Sequence, residues 1–286
     1  MILRATLRPE YLAMKVLAAL LLILATQLAS AEPLRFAPLP VRDGETLLRE
    51  TLPLLRWLEQ RTGRALVIVQ PADHQQLMAG FIRGDIDLAV LGPLPYVMLR
   101  ERFAAAEPLV HWLEVDGQPH YRCALVSFAG DNIALSTLRR QRIALTQPLS
   151  TCGPLLTDAL LRRDAGFGLA ATRAEYVGGH DSVALAVIAG EFAAGGMRES
   201  IAHEYAHLGL RIDALSAPVP GFALVANSER VDAALLSVLR EVLSAASATD
   251  RRHWGPTYRH GARPASDAGY EHIRHLIADA PPEVRP

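Results

Sequence analysis

The sequence predicts an α/β fold with mainly parallel sheets. It opens with a strand at residues 34–40, a helix at 45–61 whose leucines share one face, and a β-branched strand at 65–69. Strands that alternate with helices in this way are typical of sheets whose faces are covered by helices.

A second observation is a structural plan that the chain uses twice. In each copy a helix leads through a Gly-acid turn into a short strand and a loop. The copies occupy residues 75–93 and 182–199, with turns at Gly84-Asp85 and Gly190-Glu191. The repeat predicts the same unit in each of two lobes.

The remaining elements follow from the same patterns. Strands are predicted at 121–128, 141–145, 175–177 and 223–227, and helices at 154–163, 232–246 and 270–277. Pro154 is expected at the first position of its helix. The stretch 251–264 is rich in His, Arg, Gly and Pro and is expected to run irregularly over the surface.

The N-terminus predicts export. Met14-Lys15 precedes an apolar run at 16–25, and Ala29-Ser30-Ala31 provides a small-x-small cleavage site, so residues 1–31 are expected to be a signal peptide that starts at Met14. A retained anchor is the alternative, although the run is short for a membrane span. The formal net charge of −1 gives no reason to expect a polyanion such as nucleic acid as partner.

Four loops are placed to bind a ligand, because ligands of open α/β sheets lie beyond the carboxyl ends of strands and against helix N-termini. They are residues 41–44, 91–95, 150–153 and 178–181. Ser150-Thr151-Cys152-Gly153 is the most specific, since it combines hydroxyl donors with the positive end of a helix dipole. An ordinary helix N-cap is the alternative.

His180-Asp181 precedes another predicted helix. Asp181 either caps that helix or accepts a hydrogen bond from a ligand hydroxyl, with His180 as a donor beside it. A carboxylate at this place would disfavour a fully ionised dianion and favour a protonated oxyanion or a neutral hydroxide.

Five segments in register carry a resemblance to a known family. They are residues 34–40, 84–89, 91–96, 150–153 and 179–187. Together they resemble the periplasmic substrate-binding proteins of phosphonate, phosphite and phosphate-type ABC importers, over nearly all of the exported chain. The resemblance implies the type II periplasmic binding protein fold, with two α/β lobes, a hinge and a ligand cleft between them.

The resemblance also implies site residues. Ser150 and Thr151 match the family's oxyanion-binding hydroxyls, Cys152 replaces a serine of the same loop, and Gly153 completes it. His180 and Asp181 match a His-Asp pair. The chain departs from the family at three further positions, where His74 and Leu91 replace aromatic residues and Cys123 replaces a small hydroxyl residue near the hinge.

Cys123 and Cys152 are the two cysteines of the chain, and three interpretations remain open. They form a disulfide, which an exported protein permits; they are two inert buried residues; or they bind a soft ligand as thiolates. The third interpretation favours arsenite, because the chain resembles arsenite-binding sensor members of the family in carrying Cys123.

A competing motif is His203-Glu204-Tyr205-Ala206-His207, which matches the H-E-x-x-H pattern of zinc proteases. On one helix the two histidines would hold zinc and Glu204 would act as general base. Residues 210–213 provide no third histidine, so a zinc metalloprotease is kept as the alternative function.

The sequence therefore predicts a periplasmic solute-binding protein that is not an enzyme and needs no cofactor. Lobe one comprises residues 32–120 and 221–286, and lobe two residues 121–220. The expected ligand is a small oxyanion, and the expected partner is an ABC-transporter permease or a membrane sensor kinase. The protein is expected to be a monomer.

Overall fold

The computed structural model describes residues 32–40, 44–282 and 284. The predicted signal peptide, residues 1–31, lies outside the described residues, as do residues 41–43 of the first candidate loop. Within the described part of the chain, no helix has both the length and the apolar character that crossing a membrane requires.

Thirteen strands and nine α-helices make up the described chain, together with short 3₁₀ turns. The strands are β1 Leu34–Ala37, β2 Leu66–Ile68, β3 Leu88–Leu91, β4 Ala106–Trp112, β5 His120–Tyr121, β6 Cys123–Phe128, β7 Arg142–Thr146, β8 Arg173–Gly178, β9 Ala194–Arg198, β10 Leu210–Leu215, β11 Val219–Pro220, β12 Ala223–Asn227 and β13 Ala262–Pro264. The helices are α1 Gly44–Thr62, α2 His74–Arg83, α3 Pro93–Arg102, α4 Leu156–Ala165, α5 His180–Ile188, α6 Glu199–Glu204, α7 Ala233–Ala245, α8 Ala248–Arg251 and α9 Glu271–Asp279.

The strands form two large sheets, and both are mixed. The first has the order β13-β4-β12-β3-β1-β2, and the second has the order β10-β6-β9-β7-β8. Pairs β1–β2, β1–β3, β7–β8 and β7–β9 are parallel, whereas β12 and β6 run antiparallel to both of their neighbours. The prediction of mainly parallel sheets was wrong for this part of each sheet. Two parallel neighbours are joined by a crossover connection on one sheet. Strand β6 instead enters the second sheet from the first, and β12 enters the first sheet from the second.

The chain passes between the two sheets at a small two-stranded ribbon. Strand β5 leads out of the first sheet and β11 leads back, and the two pair antiparallel with Tyr121 opposite Val219. All strands of the second sheet fall between these two crossings, and all strands of the first lie outside them.

The first sheet is covered on one face by α1 and α7, whose leucines contribute to a single apolar cluster. The cluster includes Trp254 and Tyr258, which were expected in an irregular surface tail but are 4% and 3% exposed. Both pack edge-on against Trp112, and Trp254 also contacts Trp57. Burial of large aromatic rings is strongly favourable, and it outweighs the polar composition of the rest of this segment. The segment therefore lies partly in the core.

Asp87, directly before β3, connects that strand to its neighbour β1. Its side chain is almost completely buried and accepts hydrogen bonds from the backbone N–H, Nε and Nη2 of Arg35 at 2.8–3.0 Å. Arg230 lies 3.4 Å from the same carboxylate. Burial by itself raises the pKa of Asp87, but the hydrogen bonds from Arg35 outweigh burial and lower it.

The helix that was predicted to begin at Pro154 begins earlier. Residues Thr151–Leu155 form a single π-helical turn that continues directly into α4, and the backbone N–H of Leu156 donates to the carbonyl of Thr151. Pro154 is tolerated inside this turn because the first backbone N–H groups of a helix have no intrahelical partner to lose. Such π turns are frequent at functional sites.

Candidate functional site

A small pocket lies where the two sheets face each other, with a cavity volume of about 20 Å³. Its wall combines residues from both sheets and their loops. From the first sheet's side these are Leu39, His74, Gly92, Pro95 and Phe222, and from the second sheet's side Tyr121, Leu149, Ser150, Thr151, Cys152 and His180.

Four helix N-termini meet at this pocket. His74 is the first residue of α2, Gly92 is the N-cap of α3, Thr151 begins the π turn before α4, and His180 begins α5. Each follows a strand, namely β2, β3, β7 and β8. The positive ends of four helix dipoles therefore converge on one small volume, which suits an anion.

Three of the four predicted loops contribute residues to this pocket, namely 91–95, 150–153 and, through His180, 178–181. Of the loop at 41–44 only Gly44 is described. It lines a neighbouring cavity of about 490 Å³, together with Gln147 and Asp181.

Thr151 joins the two sides of the pocket. Its Oγ1 accepts a hydrogen bond from the backbone N–H of Leu94 in α3, at 3.0 Å, and its hydroxyl is also hydrogen-bonded to Tyr121. Burial raises the pKa of Tyr121 to about 12, and the charge of Arg198, followed by the bond to Thr151, offsets only part of this shift. Tyr121 therefore keeps its hydroxyl proton at neutral pH.

His74 is buried and is held by Gln147 from the opposite side. The distance from His74 Nδ1 to Gln147 Oε1 is 2.6 Å, and Gln147 Nε2 donates to the carbonyl of Pro40 at 2.6 Å. Burial lowers the pKa of His74, against the smaller raising effects of Gln147 and Asp73. The imidazole is therefore neutral near pH 7.

The predicted His-Asp pair is divided between two cavities. His180 lines the small pocket, and its Nδ1 accepts a hydrogen bond from the backbone N–H of Arg198 at 3.2 Å. Asp181 lies in the neighbouring cavity, where Tyr205 Oη donates to its Oδ1 at 3.1 Å.

A third cavity, of about 320 Å³, adjoins the pocket through His180 and Phe222, which line both. Arg198 and Glu114 form an ion pair there across the two sides of the cleft. The guanidinium of Arg198 also lies 4.6 Å from the ring centres of Tyr121 and Phe222. Burial raises the pKa of Glu114, although its pairing with Arg198 works in the opposite direction.

The two cysteines are joined in a disulfide, with 5.2 Å between their Cα atoms. The interpretation that the two cysteines bind arsenite as thiolates was wrong, because neither sulfur is a free thiol that could bind a soft ligand. Cys152 still lines the pocket, whereas Cys123 is completely buried in β6. The bond connects that central strand to the loop carrying Ser150 and Thr151.

Two other predicted site residues do not reach the pocket surface. The side chain of Leu91 is completely buried in the core behind the pocket. Gly153 is buried within the π turn, where a Cβ atom would lie 2.5 Å from Thr146 Oγ1 and 3.3 Å from the carbonyl of Gln147. Glycine is therefore needed there for the turn to pack against the end of β7.

The zinc-protease alternative fails on geometry. Helix α6 ends at Glu204, and His207 lies in a separate 3₁₀ turn, so the motif does not occupy one helix face. His203 faces Glu199 at 3.7 Å, while His207 Nδ1 lies 2.8 Å from the carbonyl of Glu204. Within the described residues, no three His, Cys, Asp or Glu side chains are placed to share a metal ion.

Sequence reasoning missed three residues that shape the pocket: Tyr121, Gln147 and Phe222. Gln147 and the loop at 150–153 both follow the carboxyl end of β7, so the same rule that selected the loop could have selected Gln147. Tyr121 and Phe222 flank the two chain crossings, and no sequence pattern indicated that their rings would meet at 5.5 Å.

Comparison with known proteins identifies the family of this chain. A family profile described as "ABC transporter, phosphonate, periplasmic substrate-binding protein" matches residues 36–270. The chain is also 29% identical, over 174 residues, to the phosphate-import protein PhnD of Mycolicibacterium smegmatis. That match covers 57% of this chain and 54% of PhnD, so it spans about half the length of this relative.

Two solved structures have the same fold. PhnD1 from Prochlorococcus marinus, solved in complex with methylphosphonate, has a TM-score of 0.76 at 16% identity and covers 86% of this chain and 97% of its own. A binding component of a phosphonate ABC transporter from Pseudomonas aeruginosa has a TM-score of 0.75 at 17% identity, with 89% and 92% covered. The predicted type II periplasmic binding protein fold is confirmed.

The family consists of transport proteins that bind a substrate, so the prediction that the protein is not an enzyme is confirmed, and the zinc metalloprotease receives no support. The profile covers the second sheet, all but the first two residues of the first sheet, and all four helix N-termini that meet at the pocket. This chain belongs to the family of periplasmic substrate-binding proteins of phosphonate ABC transporters.

Proposed function

We propose that the pocket between the two sheets binds a small phosphorus oxyanion, of the phosphonate, phosphite or phosphate type. The observation that carries this proposal is the convergence of four helix N-termini, at His74, Gly92, Thr151 and His180, on one small volume. Backbone N–H groups at helix N-termini both donate hydrogen bonds and provide positive potential.

The side chains of the pocket fit the same ligand. Ser150, Thr151 and Tyr121 supply hydroxyl groups, and the two histidines supply ring nitrogens. Of the described residues that line this pocket, none is Lys, Arg, Asp or Glu. Among these residues, helix dipoles and neutral donors would balance a bound anion.

We propose further that residues 32–120 and 221–286 form lobe one, that residues 121–220 form lobe two, and that the β5–β11 ribbon is the hinge. Four of the polar contacts that cross the cleft are Thr151 to Leu94, Gln147 to His74, Gln147 to Pro40, and Arg198 to Glu114. A cavity of about 20 Å³ holds roughly one water molecule. A phosphonate needs more room, so ligand entry requires these contacts to open.

The family is periplasmic, and we propose that residues 1–31 direct export to that compartment. The loaded protein then delivers its ligand to the permease of an ABC transporter, with a membrane sensor kinase as the other class of partner. We propose that the protein acts as a monomer.

The proposal is tested by thermal denaturation of the purified exported chain with phosphate, phosphite, methylphosphonate and sulfate. A ligand at a hundred times its dissociation constant adds about 2.7 kcal/mol of stability, which raises Tm by roughly 5–11 °C for a protein of this size. A shift with a phosphorus oxyanion that disappears in Ser150→Ala/Thr151→Val supports the proposal. The same shift in that double variant would place the ligand elsewhere, and no shift with any of these anions would refute the proposal.

A further inference from the structure

The orientation of the Gln147 side chain determines the proton position on His74. The amide lies between the carbonyl of Pro40 and His74 Nδ1, each at 2.6 Å. A backbone carbonyl can only accept a hydrogen bond, so Nε2 of Gln147 must face Pro40. The amide oxygen then faces His74, which requires a proton on His74 Nδ1.

His74 Nε2 is consequently the unprotonated nitrogen of a neutral ring. The ring lines the small pocket, whereas its Nδ1 partner Gln147 lines the neighbouring cavity. The Nε2 edge is therefore the one available to the pocket. The lowered pKa of His74, which is caused mainly by burial, keeps the ring neutral near pH 7.

His180 has the opposite arrangement. Its Nδ1 accepts the backbone N–H of Arg198 at 3.2 Å, so the proton of the neutral ring is on Nε2. The pocket thus combines donors from helix N-termini and hydroxyl groups with an acceptor nitrogen from His74. Among the described residues, the titratable groups that face His74 are Asp73 on the preceding residue and, across the pocket, His180 and Tyr121.

We infer that His74 makes the pocket selective for the monoprotonated form of a phosphorus oxyanion, by accepting a hydrogen bond from the P–OH group at Nε2. This inference rests on the proposed function of the same pocket. A phosphonate or phosphite monoanion carries both the acceptor oxygens that the helix N-termini need and the one hydroxyl that His74 needs. A sulfonate of the same shape has no such hydroxyl near neutral pH, and it would place an oxygen lone pair against the lone pair of His74.

The test compares methylphosphonate with methanesulfonate, two tetrahedral anions of similar shape, by titration calorimetry. We expect the exported chain to bind methylphosphonate at least 100-fold more tightly. Its affinity should fall about tenfold per pH unit once the pH exceeds the second pKa of the ligand, because only the monoanion binds. Equal affinity for the sulfonate, or affinity that rises as the ligand becomes a dianion, would overturn the inference.

Two variants isolate the acceptor nitrogen. In His74→Asn the amide N–H can replace Nδ1–H and still donate to Gln147, but nothing replaces Nε2. We expect a 10- to 100-fold loss of methylphosphonate affinity and a much smaller preference over methanesulfonate. In His74→Gln an amide oxygen can reach the Nε2 position, so most of the preference should return.

The outcomes separate the two proposals. If His74→Asn keeps a wild-type Tm and also keeps both the affinity and the preference, His74 is not the selecting residue, while the oxyanion function stands. If the wild-type chain binds none of methylphosphonate, methanesulfonate, phosphite and phosphate, the proposed function itself fails and this inference fails with it.

Discussion

Thr151 Oγ1 accepts a hydrogen bond from the backbone amide of Leu94, with 3.0 Å between oxygen and nitrogen. The two residues belong to different sides of the cleft, and both groups are buried. One hydroxyl group thus satisfies the first turn of α3, contacts Tyr121 and lines the pocket. If the proposed oxyanion binds in this pocket, this hydroxyl couples the fold of the cleft to ligand binding.

Replacing Thr151 by valine keeps the shape of the side chain and removes its hydroxyl group. We expect the free energy of unfolding to fall by about 1–3 kcal/mol, because the buried N–H of Leu94 loses its partner. Methylphosphonate should bind about tenfold more weakly. Urea denaturation and calorimetry measure the two effects, and Thr151→Ser, which keeps the hydroxyl, is the control. Wild-type values in the valine variant would mean that the bond to Leu94 does not persist in solution.

The Cys123–Cys152 disulfide should stabilise the fold but take no direct part in binding. The two cysteines are 29 residues apart, and closing a loop of that length contributes roughly 3–4 kcal/mol. We expect the double variant with alanine at both positions to melt roughly 6–16 °C lower.

Thiol titration of the denatured exported chain checks the bond itself, and it should find no reactive thiol until reductant is added. Arsenite should produce no binding heat with the oxidised protein. Two titratable thiols before reduction would show that the cysteines are unpaired.

Gly196 is expected to tolerate no side chain. A Cβ atom there would lie 1.7 Å from Oγ1 of Thr157, whose hydroxyl donates to the carbonyl of Cys152 at 2.9 Å. Gly196→Ala should therefore displace the π turn, cost about 1–3 kcal/mol of stability and weaken oxyanion binding. Gly269→Ala is the matched control, since its Cβ meets nothing within 4 Å, and it should change stability by about 0.5 kcal/mol or less. Chemical denaturation of the two variants decides the comparison.

Asp87 should make stability depend on pH. Its folded pKa is lowered, so its contribution is complete above the ordinary carboxyl pKa and disappears as the pH falls through the folded value. Asp87→Asn should cost about 2–3 kcal/mol at neutral pH, because the buried carboxylate that accepts three hydrogen bonds from Arg35 is lost. The free energies of unfolding of the variant and the wild type, from denaturation curves, should converge in strong acid. A difference between them that stays constant from neutral pH to strong acid would contradict the assignment.

Much of the fold was predictable because its signals are local. Apolar spacing indicated α1 and α7, and the helices predicted at 75–82 and 182–188 are present but begin earlier, at His74 and His180. Asp73 caps α2 by accepting from the backbone N–H of Gln76 at 2.8 Å. Those early starts matter, because they bring both histidines to the pocket.

What the sequence could not provide depends on distant contacts. The pairing of Cys123 with Cys152 was one of three open interpretations, because nothing local records that β6 and the π turn are neighbours. The role of Gln147 depends on Pro40 and His74, which come from the other side of the cleft. The burial of Trp254 likewise depends on Trp112, far away in the chain.

The ribbon that pairs Tyr121 with Val219 means that residues 121–220 start and stop at the same place. If this segment were removed, its flanking ends would be one strand spacing apart, about 5 Å, a gap that a two-residue turn can close. In topological terms, the half of the cleft with Ser150, Thr151 and His180 is an insert in a continuous first sheet. An engineer could therefore exchange it as one cassette, and change the ligand while keeping the surface of the first sheet.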